Sequence, residues 1–273
     1  MNNIVEMKKL LIPFAFLVLV MSCTDNEEPQ PAVCQPTTVE YFDETSTFFY
    51  FETGSNGFNV LSSISVDDGT DSAYQYTYEY TDNQLSKLTS IRDGSTVNFT
   101  PTFDGGKLTA LTGRPAGAGV VTEEIQLSYS GDNVSRVDYF IADPNTETLY
   151  QFLHYAFTYN GGDLTSVSYN IDFVALLSLA FGQLPTAPYA PELVFTNSFE
   201  YGSEPAPNPL YRQYNLYQPE SAMGANMPVN LIQRDADGNL QGSLGFTITF
   251  NEQGFPVLAD TGNNFIDITY DCN

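Results

Sequence analysis

Basic residues are scarce in this chain. Nine Lys and Arg stand against 33 Asp and Glu, for a formal net charge of -24. Nucleic acid and anionic membranes are bound through clustered Lys and Arg, so this balance excludes both as charge-driven partners. Tryptophan is missing, and the single histidine is His154. A Ser or Cys hydrolase needs a base beside its nucleophile, most often histidine. His154 alternates with Leu153, Tyr155, Phe157 and Tyr159, so it points away from that apolar row and reads as structural. With one His and no CxxC, neither a zinc site of the usual ligands nor a thiol redox centre is supported. No glycine-rich phosphate loop occurs either. Even the most apolar run, Leu10 to Met21, falls short of the ~20 residues that span a bilayer.

That short run follows Lys8 and Lys9, the layout of a secretory signal peptide over residues 1–22. Its end, Val20-Met21-Ser22-Cys23, resembles a bacterial lipobox, which implies that Cys23 is acylated and becomes the first residue of the mature chain. The alternative is ordinary cleavage nearby with Cys23 left as a free thiol. Residues 23–38 are acidic, proline-rich and nearly devoid of apolar side chains, so they read as an extended tether. The cluster Asp25, Glu27 and Glu28 resembles the signal that exports some Gram-negative lipoproteins to the outer face of the outer membrane; a solvated linker has the same composition. The expectation is an outer-membrane lipoprotein held by its N-terminal lipid and facing the periplasm or the cell surface.

Acylation of Cys23 leaves Cys34 and Cys272 as an even pair in an oxidising compartment, and they are expected to form a disulfide. Removing residues 1–22 takes away Lys8, Lys9 and Glu6 and leaves 7 basic and 32 acidic residues. Cationic partners and Ca²⁺ suit that charge. Residues 39–273 are enough for one sizeable β domain, with no second linker to divide it.

In Tyr74 to Ile91, Tyr74, Tyr76, Tyr78 and Tyr80 alternate with polar residues, a polar turn follows, and Leu85, Leu88 and Ile91 return the chain. This is a β-hairpin with its aromatic rings on one face. The spacing aromatic, aliphatic at i+5, aliphatic at i+8 recurs at Phe103/Leu108/Leu111, Tyr129/Val134/Val137, Tyr159/Leu164/Val167 and Phe250/Phe255/Leu258. Each turn carries Gly, Asn or Asp, residues that tolerate positive φ. The fold class is therefore mainly β: an antiparallel meander of repeated hairpins forming a curled sheet or barrel. Tyr159-Asn160-Gly161-Gly162-Asp163-Leu164 resembles the YD or RHS type of repeat. The lipobox, the degenerate hairpins and the late Tyr201-Gly202 and Asn208-Pro209 are similar to the DUF4595 lipoprotein domains. The resemblance implies fold and location and brings no catalytic residues.

Residues 170–230 interrupt the repeats. IDFVALLSLAFGQL, apolar on nearly all sides, predicts a short buried helix with Asn170 as N-cap, Asp172 at its N-terminus and Pro185 at its end. A strand is expected near Leu193 to Tyr201. Long loops are often functional, so Pro205 to Pro228 is the candidate binding surface, with Tyr211, Tyr214 and Tyr217 as its contacts; the plainer reading is a loop that covers the sheet. Asp235, Asp237 and Asn239 alternate as in metal loops, but Gly238 is fourth where a Ca²⁺ loop of the EF-hand kind has its glycine sixth, which favours a hairpin turn. The leading expectation is a non-catalytic binding or scaffold lipoprotein with a glycan or cell-surface protein as partner. The alternative is a glycan-degrading enzyme using a pair of carboxylates.

Overall fold

The computed structural model describes residues 34–42, 46–53, 59–67, 74–82, 84–92, 94–143, 145–160, 163–181, 183–185, 188–205, 226–262 and 265–272. Residues Met1–Val33 and Cys34–Asn273 are two separate units; the second is described here. Its described residues form seventeen strands and one helix: β1 Cys34–Phe42, β2 Ser46–Thr53, β3 Asn59–Asp67, β4 Tyr74–Thr81, β5 Gln84–Arg92, β6 Ser95–Asp104, β7 Lys107–Pro115, β8 Glu123–Ser130, β9 Asn133–Ala142, β10 Leu149–Asn160, β11 Asp163–Ile171, α1 Phe173–Ala180, β12 Glu192–Pro205, β13 Asn226–Asp235, β14 Leu240–Gly245, β15 Thr247–Phe250, β16 Pro256–Asp260 and β17 Phe265–Cys272.

The strands pair antiparallel in chain order. β14 and β15 follow one another with Phe246 between them; β14 pairs with β13 and β15 with β16. β1 pairs with β2 on one side and β17 on the other, so the meander returns on itself as a nearly closed barrel. The expected meander is thus present, and it is longer than the repeats. Cys34 to Thr38, read as tether, belong to β1 and pair with Asp271, Tyr270 and Thr269 among others. Within residues 170–230, the strand expected near Leu193 to Tyr201 is β12, and β13 begins a second strand of the wall at Asn226.

One apolar core lines the inner face of β1–β11, β16 and β17, while every residue of β14 is exposed. Phe49, Ile64, Leu85, Phe99, Leu108, Leu111, Val137, Leu164 and Val167 are almost wholly excluded from solvent, and Tyr76, Tyr78 and Tyr169 are buried among them. Gly113 lies opposite Phe99; a Cβ there would stand 2.7 Å from the Phe99 ring, so only glycine leaves room for that ring. The outer positions of the same strands, such as Gln75, Glu79, Thr100 and Thr102, are polar and exposed. A barrel that spans lipid needs the reverse, apolar outside and polar inside.

The repeat spacing has a structural cause. Side chains alternate with period 2 along a strand, yet Leu85 and Leu88 are both buried at an odd separation. Between them Ser86 is a bulge, one extra residue in the returning strand, because Glu79 pairs with Lys87 and Tyr80 with Leu85. Ser62, Thr109 and Thr165 sit at matching bulges. In each case the hydroxyl donates to the carbonyl just before the aromatic position: Ser62 to Tyr50 at 3.0 Å, Ser86 to Glu79 at 3.0 Å, Thr109 to Thr102 at 3.2 Å and Thr165 to Thr158 at 3.0 Å.

A second regularity joins neighbouring hairpins. The β3–β4 ladder ends at Ser63–Thr77, and three residues on, the Tyr80 hydroxyl donates to the Leu61 carbonyl at 2.8 Å. Tyr129 does the same to Leu108 at 2.8 Å, Tyr201 to Leu164 at 2.6 Å and Tyr270 to Pro256 at 2.8 Å. Where neighbouring strands part near the rim, a tyrosine hydroxyl takes the place of the missing backbone donor.

Candidate functional site

The connections at one rim are the hairpin turns of the repeats, and β1 enters at that rim. The other rim carries the loop from β11 to β12, which contains α1. This loop folds over the outer face of β9 and β10, and beneath it lies a cluster of polar residues.

Arg136 and Asp138 alternate with buried Val137 and so share the outer face of β9. Asp138 pairs across the ladder with His154 of β10. Arg136 grips Asp138 twice over, with Nε donating to Oδ1 at 2.7 Å and Oδ2 at 2.9 Å and Nη2 donating to Oδ1 at 2.5 Å. Gln151 adds a hydrogen bond to the same carboxylate. His154 Nδ1 and the Tyr189 hydroxyl lie 2.7 Å apart in a hydrogen bond, with their rings edge to face. Both Asp138 and His154 are only 8% exposed.

Asp172 fastens the cover. Its Oδ1 accepts from the Ala175 N–H and its Oδ2 from the Ala190 N–H, each at 2.9 Å, so one carboxylate caps the helix and holds the returning chain beside it. Burial, and secondarily the charge of Arg136, holds the His154 pKa below its ordinary value against the opposing pull of Asp138. Burial pushes Tyr189 up to about 12. The histidine is therefore neutral at physiological pH, and its Nδ1 is occupied by the tyrosine. The hydrogen bond to Asp138 is the first cause of a raised Arg136 pKa, as expected for a bidentate ion pair. Chemically the arrangement binds the loop to the wall. The one hydroxyl bonded to the histidine among the described residues is that of Tyr189, whose raised pKa keeps it protonated, and the carboxylates of Asp138 and Asp172 are committed to donors within the fold.

The helix differs from expectation in two ways. Asp172 is the N-cap, because β11 runs on to Ile171 and keeps Asn170 in the ladder opposite Leu193. The helix is also not buried. Ala175 faces the barrel, whereas Phe173 is 45% exposed, Val174 66%, Leu177 58% and Phe181 80%. The chain leaves the helix with Gln183 N–H bonded to the Ser178 carbonyl at 2.8 Å, ahead of Pro185.

The other sequence candidates fall elsewhere. Cys34 and Cys272 are opposite one another in the β1–β17 register. Asp235 accepts from the N–H groups of Asp237 and Asn239 and from the side chains of Asn239 and Gln241, and Gly238 has φ +83°. These residues build the β13–β14 turn, with the carboxylate turned in on its own loop. Among the described residues no group of three or more His, Cys, Asp or Glu is placed to hold a metal. Cys23, Tyr211, Tyr214 and Tyr217 lie outside the described residues. The orientation of His154 was legible from alternation. Its partners Arg136, Asp138, Gln151 and Tyr189 were not singled out, although the charged pair on alternate outer positions of β9 was a signal.

Neither a known sequence family nor a curated protein matches the chain. Solved structures do resemble it in fold. A porin-like protein from Bacteroides vulgatus aligns over 87% of this chain and 98% of its own with a TM-score of 0.52 at 12% identity. A porin-like protein from Bacteroides uniformis covers 86% and 96% with a TM-score of 0.48 at 13% identity. A Bacteroides fragilis protein of unknown function covers 56% and 94% with a TM-score of 0.35 at 11% identity.

Proposed function

We propose that this chain is an outer-membrane lipoprotein, held by an acyl group on Cys23, whose barrel stands in water as a non-catalytic binding or scaffold module. The observation that carries this reading is the polarity of β2 to β11, where buried apolar residues face the interior and polar residues such as Gln75, Glu79, Thr100 and Thr102 face outward, so membrane attachment falls to the N-terminal segment rather than to the strands. The lipobox-like Val20-Met21-Ser22-Cys23 supports the anchor. The committed states of Asp138 and Asp172 favour display over glycan hydrolysis. In the same reading Cys34 and Cys272 are joined by a disulfide across the β1–β17 seam.

Mass spectrometry of the mature N-terminus tests the anchor. A diacyl or triacyl mass on Cys23, with Cys23→Ala protein lost from the membrane fraction, is the expected result; an unmodified N-terminus at another residue refutes it. Ligand class is read from melting curves with oligosaccharides, with and without Ca²⁺. A ligand at 100 times its Kd stabilises the fold by about 2.7 kcal/mol. A shift confined to one glycan class, without product formation, identifies a sugar-binding module.

A further inference from the structure

We propose that the inward row Asn197, Gln233 and Gly242 is a sugar-binding subsite, in which one ring hydroxyl bridges the two side-chain amides. The inference rests on the reading of the chain as a non-catalytic binding module, and gives that module a place and a ligand class. The buried core runs from β1 to β11 and resumes at β16; the wall between is where the interior opens. Val167 of β11, wholly buried, lies opposite Asn197 of β12, Asn197 lies opposite Gln233 of β13, and Gln233 lies opposite Gly242 of β14. Residues directly opposite one another on antiparallel strands share a face, so all four positions are inward. Along that row exposure rises step by step: Asn197 is 7% exposed, Gln233 is half-buried and Gly242 is exposed.

The amide row is unfinished. Gln233 Nε2 donates to Asn197 Oδ1 at 3.2 Å, and among the described residues Asn197 Nδ2 donates to nothing and Gln233 Oε1 accepts nothing. Turning both amides over exchanges the atoms and leaves the same remainder, one donor and one acceptor. A polar group as buried as Asn197 costs free energy until it is bonded. The outer row of the same strands is complete by contrast, with Asn230 donating to Glu200 at 3.1 Å and Ser243 to Asn230 at 3.0 Å. Inside, the third place is glycine, and a Cβ at Gly242 would meet no atom within 4 Å, so there is room for a ligand beside Gln233. The chemistry names its class. A hydroxyl donates and accepts at one atom, which matches the pair left over, and neutral amides give no preference for an ion. Two residues along, Phe199, Leu231 and Leu244 form a second inward row. It is apolar, and Leu244 is 37% exposed. Water could bond the amides but would leave this row wet. An amide row and an apolar row about 6.6 Å apart, two residues at the rise of a strand, suit a pyranose, which carries hydroxyls on its edge and C–H groups on its face.

The test uses the mature chain carrying Cys23→Ser, labelled with nitrogen-15, and the methyl glycosides of glucose, galactose, mannose and N-acetylglucosamine as probes, with triglycine as a peptide control. The side-chain amide resonances of Asn197 are assigned by their loss in Asn197→Leu. One glycoside is expected to shift them to saturation in an NMR titration. Asn197→Leu removes the free donor and Gly242→Val fills the space beside Gln233, and each is expected to weaken that glycoside at least about tenfold, a difference of 1.4 kcal/mol. Both variants are expected to fold: leucine suits a site beside Val167, and valine suits an exposed strand position. Should Asn197→Leu fail to fold, Gly242→Val decides alone. Resonances of Asn197 indifferent to all four glycosides overturn the proposal. So does a glycoside held equally well by both variants, which would place the sugar elsewhere on a chain that is still a binding module, and so does a shift with triglycine alone, which would assign the row to peptide. The binding-module reading fails on different results, conversion of a glycoside to free sugar or an unmodified N-terminus at another residue.

Discussion

Tyr80, Tyr129, Tyr201 and Tyr270 each stand three residues past the end of a ladder and close it with a hydroxyl. Replacing Tyr129 by Phe keeps the ring and removes the donor to Leu108, at a cost of about 0.5–1.5 kcal/mol. For a domain of this size that is a fall of a few degrees in melting temperature, readable by calorimetry. The ring was legible in the sequence, since its spacing to Leu108-type positions repeats; the hydroxyl was not, because Phe103 and Phe250 occupy the same slot and make the tyrosine look like one apolar choice among several. The bulge was legible in hindsight, from an odd separation between two buried aliphatics with Ser or Thr between them. At His154 the expectation concerns pH. Its folded pKa lies below the ordinary 6.5, so as pH falls the unfolded chain takes up the proton first. The stability contributed by the neutral ring is fully present above pH 6.5 and is lost as pH falls below it. The melting-temperature gap between the natural chain and His154→Gln is therefore expected to be constant at alkaline pH and to narrow on acidification. A gap that is flat across that range refutes the assignment.

The helical segment shows how an element can be recognised while its environment is misread. The apolar run with Asp172 ahead of it predicts a helix, and α1 is there. Burial does not follow from the same run, because a helix apolar all round satisfies one neighbour with one side and leaves the rest to whatever it meets next. The N-cap moved from Asn170 to Asp172 for a tertiary reason: the ladder with β12 holds Asn170 in strand conformation, and no local signal competes with that. Asp172→Ala removes the cap and the tie to Ala190 together. The expected loss is about 1–3 kcal/mol, confined to the loop. Hydrogen exchange should accelerate at the amides of Ala175 and Ala190 and remain unchanged in the β6–β7 ladder; a uniform acceleration would mean that the loop is integral to barrel stability.

For the whole molecule, the hairpin repeats made the meander legible, but closure depends on β1 and β17, which carry no copy of the repeat. The register sets Cys34 opposite Cys272, and the proposed disulfide would join the two strands there. Thiol titration of unfolded, non-reduced protein is expected to find neither of the two free, and replacing both by Ser is expected to lower stability by about 2–5 kcal/mol in denaturant titrations. Two reactive thiols would sink the assignment. The β1–β17 pairing also has a consequence in time. A growing or translocating chain delivers β1 first and the strand that completes it last. Until Phe265–Cys272 arrive, β1 has one unpaired edge, and every ladder between can form by local hairpin closure while this one waits for the most distant partner in the sequence. The final residues are thus the ones that end the interval of vulnerability to edge-to-edge aggregation.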